Sequence, residues 1–173
     1  MSEFNSCSSL LNKEYVEKAK IAYERELVVG RDPLQMMLNM QKSLQDKLAD
    51  SLGRIPRIEN IKTKGQLLDW MEDQKRAFDD EFREMVEAIA GMEKSEKERS
   101  AIWKKWKSNY EQIRAETVDS LSDFERKELL FELADMQIFY MNMMLALNVS
   151  YEDMYVLLYH KIAENFTRQE RGY

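Results

Sequence analysis

Two carboxylates, Glu132 and Asp135, are the only charges in the stretch from Leu129 to Val149. Burying an unpaired carboxylate is costly, so a stable protein must give each one a partner. No Lys or Arg lies within that stretch to serve. Residues three apart share a helix face, so both acids point to one place. A second pair with this spacing, Glu81 and Glu84, lies upstream in FDDEFREMVEAIAG. Phe78, Phe82, Met85 and Ile89 flank it, which puts it at the edge of an apolar face. Four carboxylates converging from two helices, without enough local cations, form a cradle for metal ions. Two plainer arrangements remain open in a chain with 32 Asp and Glu. Glu81 and Glu84 could lie on a solvated face, and Glu132 and Asp135 could pair with Lys or Arg distant in sequence.

The residue types restrict the ion. His160 is the only histidine, so neither a Glu-x-x-His di-iron site nor a histidine-based zinc site can be built. An all-carboxylate set suits hard cations, and Mg²⁺ commonly works together with phosphates. Two or more such ions can activate a water and offset the charge of a leaving phosphate. The run Trp103-Lys104-Lys105-Trp106-Lys107 offers ammonium groups that could reach a polyphosphate. It also fits an ordinary amphipathic helix with Trp inward and Lys in water. The end of the chain, from Lys161 to Tyr173, holds Asn165, Phe166, Arg168 and Gly172. Such an end either frays, as termini do, or folds over a ligand.

The elements that must position these groups read as helices. Five Gly and two Pro are few, β-branched residues are scarce, and Met, Leu, Glu, Lys and Gln abound. The expected class is all-α, a helical bundle with the metal site between two core helices. A first helix is expected from Leu10 to about Leu27. Asp32-Pro33 is a cap followed by proline at the first helical position, and Met37, Met40, Leu44, Leu48 and Leu52 follow as an apolar stripe. Residues 53–62 form a loop. Thr63 with Gln66 opens a helix to about Ala90, where Gly91 supplies a stop. Ser95 with Glu98 opens a polar helix through about Val118, Ser122 with Glu125 opens the apolar helix, and Ser150 precedes a last helix ending near Phe166. Residues 1–173 read as one domain with a polar helical insertion at about 92–127, which covers the core or packs on a second subunit.

Composition excludes several classes. A net charge of −6 opposes binding of a nucleic-acid polymer, which needs a basic face, yet admits a small anion carried in by divalent cations. Two acids near the middle of the 129–149 segment oppose a transmembrane helix. Cys7 is the single cysteine and fits a reducing compartment, and the start of the chain lacks a secretory pattern.

Taken in order, these motifs resemble the all-α nucleoside triphosphate pyrophosphatases, whose signature is Glu-x-x-Glu followed by Glu-x-x-Asp. Here it reads Glu81-Phe-Arg-Glu84 and Glu132-Leu-Ala-Asp135. The WKKWK run and the ending Lys161-x-x-x-Asn165-x-x-Arg168-Gln169-x-x-Gly172-Tyr173 resemble the dimeric dUTPase branch, and the likeness to the dCTP/dUTP pyrophosphatases of T4-like bacteriophages covers nearly the whole chain. That resemblance implies a homodimer in the host cytoplasm that cleaves dCTP and dUTP between the α and β phosphates. It implies Mg²⁺ held by Glu81, Glu84, Glu132 and Asp135, with Glu81 or Glu84 as base. It implies that Lys161, Asn165 and Arg168 grip phosphates with Lys104 or Lys107, that Gln41 and Trp70 lie near the base, and that Tyr173 closes the site. Contacts with other phage nucleotide-synthesis enzymes also follow from it. Ile138 and Ile162 stand where the family has His and Asn, a difference that bears on discrimination between cytosine and uracil. The rival substrates are another or a modified deoxynucleotide; the rival class is a non-catalytic helical interaction protein.

Overall fold

A computed structural model describes residues 12–172, and every regular element among them is helical. Helix α1 spans Lys13–Val28, α2 Pro33–Leu52, α3 Lys64–Ala90, α4 Glu96–Arg99, α5 Tyr110–Ala115, α6 Asp123–Ala146 and α7 Tyr151–Glu170. No helix among the described residues is long and apolar enough to cross a membrane. Cys7, the expected helix start at Leu10, and Tyr173 lie outside the described residues.

Side chains that cap orphan main-chain groups set most boundaries. Asp32 accepts the Leu34 N–H at 2.9 Å, and Pro33 takes the position where a missing N–H does no harm. Thr63 Oγ1 accepts the Gln66 N–H at 3.2 Å while Gln66 Oε1 accepts the Thr63 N–H at 3.0 Å. Ser95 with Glu98, Ser122 with Glu125, and Ser150 with Asp153 repeat this reciprocal pattern. At the end of α3, Gly91 adopts φ +104°, and a Cβ there would lie 2.8 Å from Lys94 Nζ and 3.2 Å from Glu125 Oε1. The glycine thus lets the chain turn tightly enough for Glu125 to accept the N–H groups of Met92 and Glu93.

The polar helix expected from Ser95 to Val118 is broken. Helix α4 holds only four residues, a 3₁₀ turn follows at Ser100–Ile102, and turns lead to α5. Cationic side chains satisfy carbonyls before and within the broken segment. Arg99 Nη1 donates to the Lys94 carbonyl at 2.7 Å, Arg114 Nη1 to that of Ile102 at 3.2 Å, and Lys107 Nζ to that of Lys97 at 2.5 Å. Ala90, Ala101 and Ile113 form a small apolar cluster, with Ile102 against it. Trp103 and Trp106 are exposed, so the picture of an amphipathic helix with Trp inward does not hold. Helix α7, by contrast, runs past Phe166 to Glu170 and carries Lys161, Asn165 and Arg168 on regular helix.

The described chain divides into two compact units, residues 12–21 with 72–140 and residues 22–71 with 141–172. In the second unit α2 packs on α7. A polar junction lies buried there: Gln41 Nε2 donates to Asn142 Oδ1 at 2.8 Å, and the Trp70 indole N–H to the Asn142 carbonyl at 3.1 Å. Asn142 is only 1% exposed. The buried face of α2 is Leu38, Gln41, Gln45 and Ala49, whereas Met37, Met40, Leu44 and Leu52 of its apolar stripe are exposed. Tyr155, Leu158, Tyr159, Ile162 and Phe166 of α7 are exposed as well.

Candidate metal centre

Within the first unit, α3 supplies Glu81 and α6 supplies Glu132 and Asp135. One carboxylate oxygen from each lies within 4.8 Å of the others, and all three residues are half-buried. Burial, the largest cause, pushes each carboxyl above its ordinary value. Glu132 is pushed up to about 7 by burial together with the charges of Glu84, Glu81 and Asp135. A hydrogen bond joins Glu132 and Glu81, lowering Glu81 and raising Glu132.

No Lys or Arg among the described residues forms an ion pair with these acids. The nearby cations are engaged elsewhere, Arg83 with Asp80 at 3.1 Å and Arg99 with Glu87 at 3.7 Å. Within the first unit, then, no described cation takes the partner's place that the ion-pair alternative requires. The second unit shows what a paired acid looks like: buried Glu26 meets Arg31 Nε at 2.6 Å and Arg25 Nη2 at 3.4 Å. Three oxygen donors with raised proton affinity and no cation partner can hold a hard divalent ion such as Mg²⁺, and a softer set of nitrogen or sulfur ligands is absent from the triad.

Glu84 is not part of the triad. It is exposed and shares with Glu132 the wall of a pocket of about 790 Å³. Lys104 and Lys107 line the same pocket, as the polyphosphate reading requires. Each is partly engaged: Lys104 Nζ sits 4.3 Å from the centre of the Trp103 ring, and Lys107 Nζ also reaches Ser100 Oγ at 3.2 Å. Arg83, Glu87 and Arg99 line the pocket too and escaped the sequence reading. Glu87 continues the three-residue spacing of Glu81 and Glu84, which was the available signal. Arg99 had none beyond following the Ser95 cap.

The other expected ligand-binding residues belong to the second unit. Gln41 and Trp70 meet at the buried Asn142 junction. Lys161, Asn165 and Arg168 are exposed on α7, with Arg168 Nε bonded to Glu164 at 3.0 Å. Tyr173 lies outside the described residues.

Fold and site together define a class: an all-α protein with a carboxylate cluster fit for hard cations beside a pocket lined by both basic and acidic side chains. Comparison with known proteins narrows it. The chain is 41% identical over 174 residues to the dCTP pyrophosphatase of Enterobacteria phage LZ5, covering all of both chains. It is 39% identical over 173 residues to the dCTP pyrophosphatase of Enterobacteria phage T4, again covering all of both. A DNA replication protein of phage T4 is 38% identical over 161 residues, 93% of this chain and 41% of that protein. No protein-family model matches the chain, and no solved structure matches it. The chain belongs to the family of the dCTP pyrophosphatases of T4-like phages.

Proposed function

We propose that the protein hydrolyses dCTP and dUTP between the α and β phosphates, giving the deoxynucleoside monophosphate and pyrophosphate with Mg²⁺ as cofactor. The convergence of Glu81, Glu132 and Asp135 without a cation partner carries this reading. The dCTP part also draws support from full-length likeness to two proteins named for that activity. The dUTP part rests on the resemblance to the dimeric dUTPase branch.

Glu81, Glu132 and Asp135 hold Mg²⁺, with Glu84 at the rim. Bound there, the ions would lower the proton affinity of water and offset charge on the phosphates. Glu84, open to solvent beside the triad, takes the proton from the attacking water, and Glu81 is the other candidate for that task. Lys104 and Lys107 balance the charge of the polyphosphate. Lys161, Asn165 and Arg168 add further phosphate contacts, and Tyr173 closes over the ligand. Gln41 and Trp70 support the base pocket from the buried Asn142 junction, with Ile138 and Ile162 shaping the choice between cytosine and uracil. The exposed apolar residues of α2 and α7 form the face of a homodimer. The enzyme works in the host cytoplasm, controlling the deoxynucleotide pool beside other phage nucleotide-synthesis enzymes.

The test is pyrophosphate release from a panel of deoxynucleoside triphosphates with Mg²⁺. Release from dCTP and dUTP above the others is expected. Release from a different nucleotide alone would change the substrate, and none from any would refute the enzyme.

A further inference from the structure

Resting on that reading, we infer that Arg99 binds the two phosphates that leave as pyrophosphate, which displace the loose contact its guanidinium keeps with Glu87. Arg99 lies in the polar insertion, and the reaction described so far gives it no part. Its side chain is only 19% exposed. One edge of the guanidinium is fixed, because Nη1 donates to the carbonyls of Lys94 at 2.7 Å and Met92 at 3.4 Å. The other edge is unsatisfied: Nε is buried and has no hydrogen-bond partner among the described residues. Glu87 Oε2 stands 3.7 Å from it, close enough for attraction and too far for a hydrogen bond.

A buried N–H without an acceptor is rare enough to require an explanation. The pocket that Arg99 lines supplies one, because Glu84, Glu132, Lys104 and Lys107 share it. The reacting α phosphate belongs beside the acids, and the β and γ phosphates carry most of the remaining charge. A phosphate presents two oxygens in a plane, the match for the free edge of an arginine fork, and Lys cannot copy that match. Phosphate would thus replace the loose Glu87 contact with charge-assisted hydrogen bonds. The plain alternative is that Arg99 only braces the turn at Met92 and Lys94.

Calorimetric titration of Mg²⁺-loaded protein with pyrophosphate, and separately with dCMP, distinguishes the two. Arg99→Ala should weaken pyrophosphate binding about tenfold or more while leaving dCMP within about twofold, with Arg99→Lys in between. Equal weakening of both ligands, or of neither, would overturn the assignment. Should Arg99→Ala fail to fold, Glu87→Gln provides a second arm. Removing the competing carboxylate should tighten pyrophosphate binding, and unchanged or weaker binding would overturn the role given to Glu87 and Arg99. Wild-type protein that binds pyrophosphate through Arg99 yet cleaves no deoxynucleotide would refute the reaction and leave this contact standing.

Discussion

Helices α3 and α6 each contribute to two polar clusters, and the chain treats the two in opposite ways. In one, Trp70 and Asn142 meet Gln41 of α2 in a junction of uncharged groups that satisfy one another inside the protein. In the other, Glu81, Glu132 and Asp135 are acids with no cation partner among the described residues, and burial raises the proton affinity of each. A polar group completed by the protein stabilises the fold, whereas one left incomplete is poised for something that arrives later. Glu26 belongs with the first kind, since Arg25 and Arg31 complete it.

That contrast breaks if substitutions in the two clusters have the same effect. The largest expected change is in turnover: Asp135→Asn and Glu81→Gln should each slow pyrophosphate release on the order of 10²–10³-fold. Neither should lower the metal-free melting temperature, because each relieves repulsion among half-buried acids. Asn142→Leu should do the reverse and destabilise the protein by about 1–3 kcal/mol in denaturant titrations, since the Gln41 amide and Trp70 indole then lose geometry or partner. A drop in metal-free stability for Asp135→Asn as large as that for Asn142→Leu would erase the distinction.

The pH dependence sharpens it further. Glu132 has a folded pKa of about 7 against an ordinary 4.5, so the folded state binds its proton more tightly than the unfolded chain does. Its contribution is complete below about pH 4.5 and is lost as pH rises to about 7. Glu81 and Asp135 shift in the same direction. The denaturation midpoint without Mg²⁺ should therefore fall between those pH values. Mg²⁺ should restore it at the upper end by binding the folded state, and Glu132→Gln should flatten the fall. Capping acids behave oppositely: Ser95 and Ser150 hydrogen bonds hold Glu98 and Asp153 below the usual carboxylate range, so their contribution is lost only at more acid pH. The smallest effect is at a helix end, where Asp32→Ala should cost about 1 kcal/mol in the same titrations.

Capped helix starts were legible in the sequence because the cap and its partner lie within three residues, as at Thr63, Ser95 and Ser122. Glu132 and Asp135 were legible because charge in an apolar helix is conspicuous without any knowledge of tertiary structure. The break after Arg99 was not, since it depends on Lys107 and Arg114 reaching back to carbonyls of Lys97 and Ile102. The Met37, Met40 and Leu44 stripe has helical spacing, yet spacing alone does not say which face is buried, and Gln41 and Gln45 occupy the inside instead. Arg99 and Glu87 are ordinary charges in sequence; only their placement on one pocket distinguishes them.

The most direct measurement is pyrophosphate release from dCTP across a Mg²⁺ titration, comparing the wild type with Glu132→Ala. The acid triad as the metal site predicts release that rises with Mg²⁺ in the wild type and falls on the order of a thousandfold in Glu132→Ala at every concentration. Release from Glu132→Ala at the wild-type rate would contradict it.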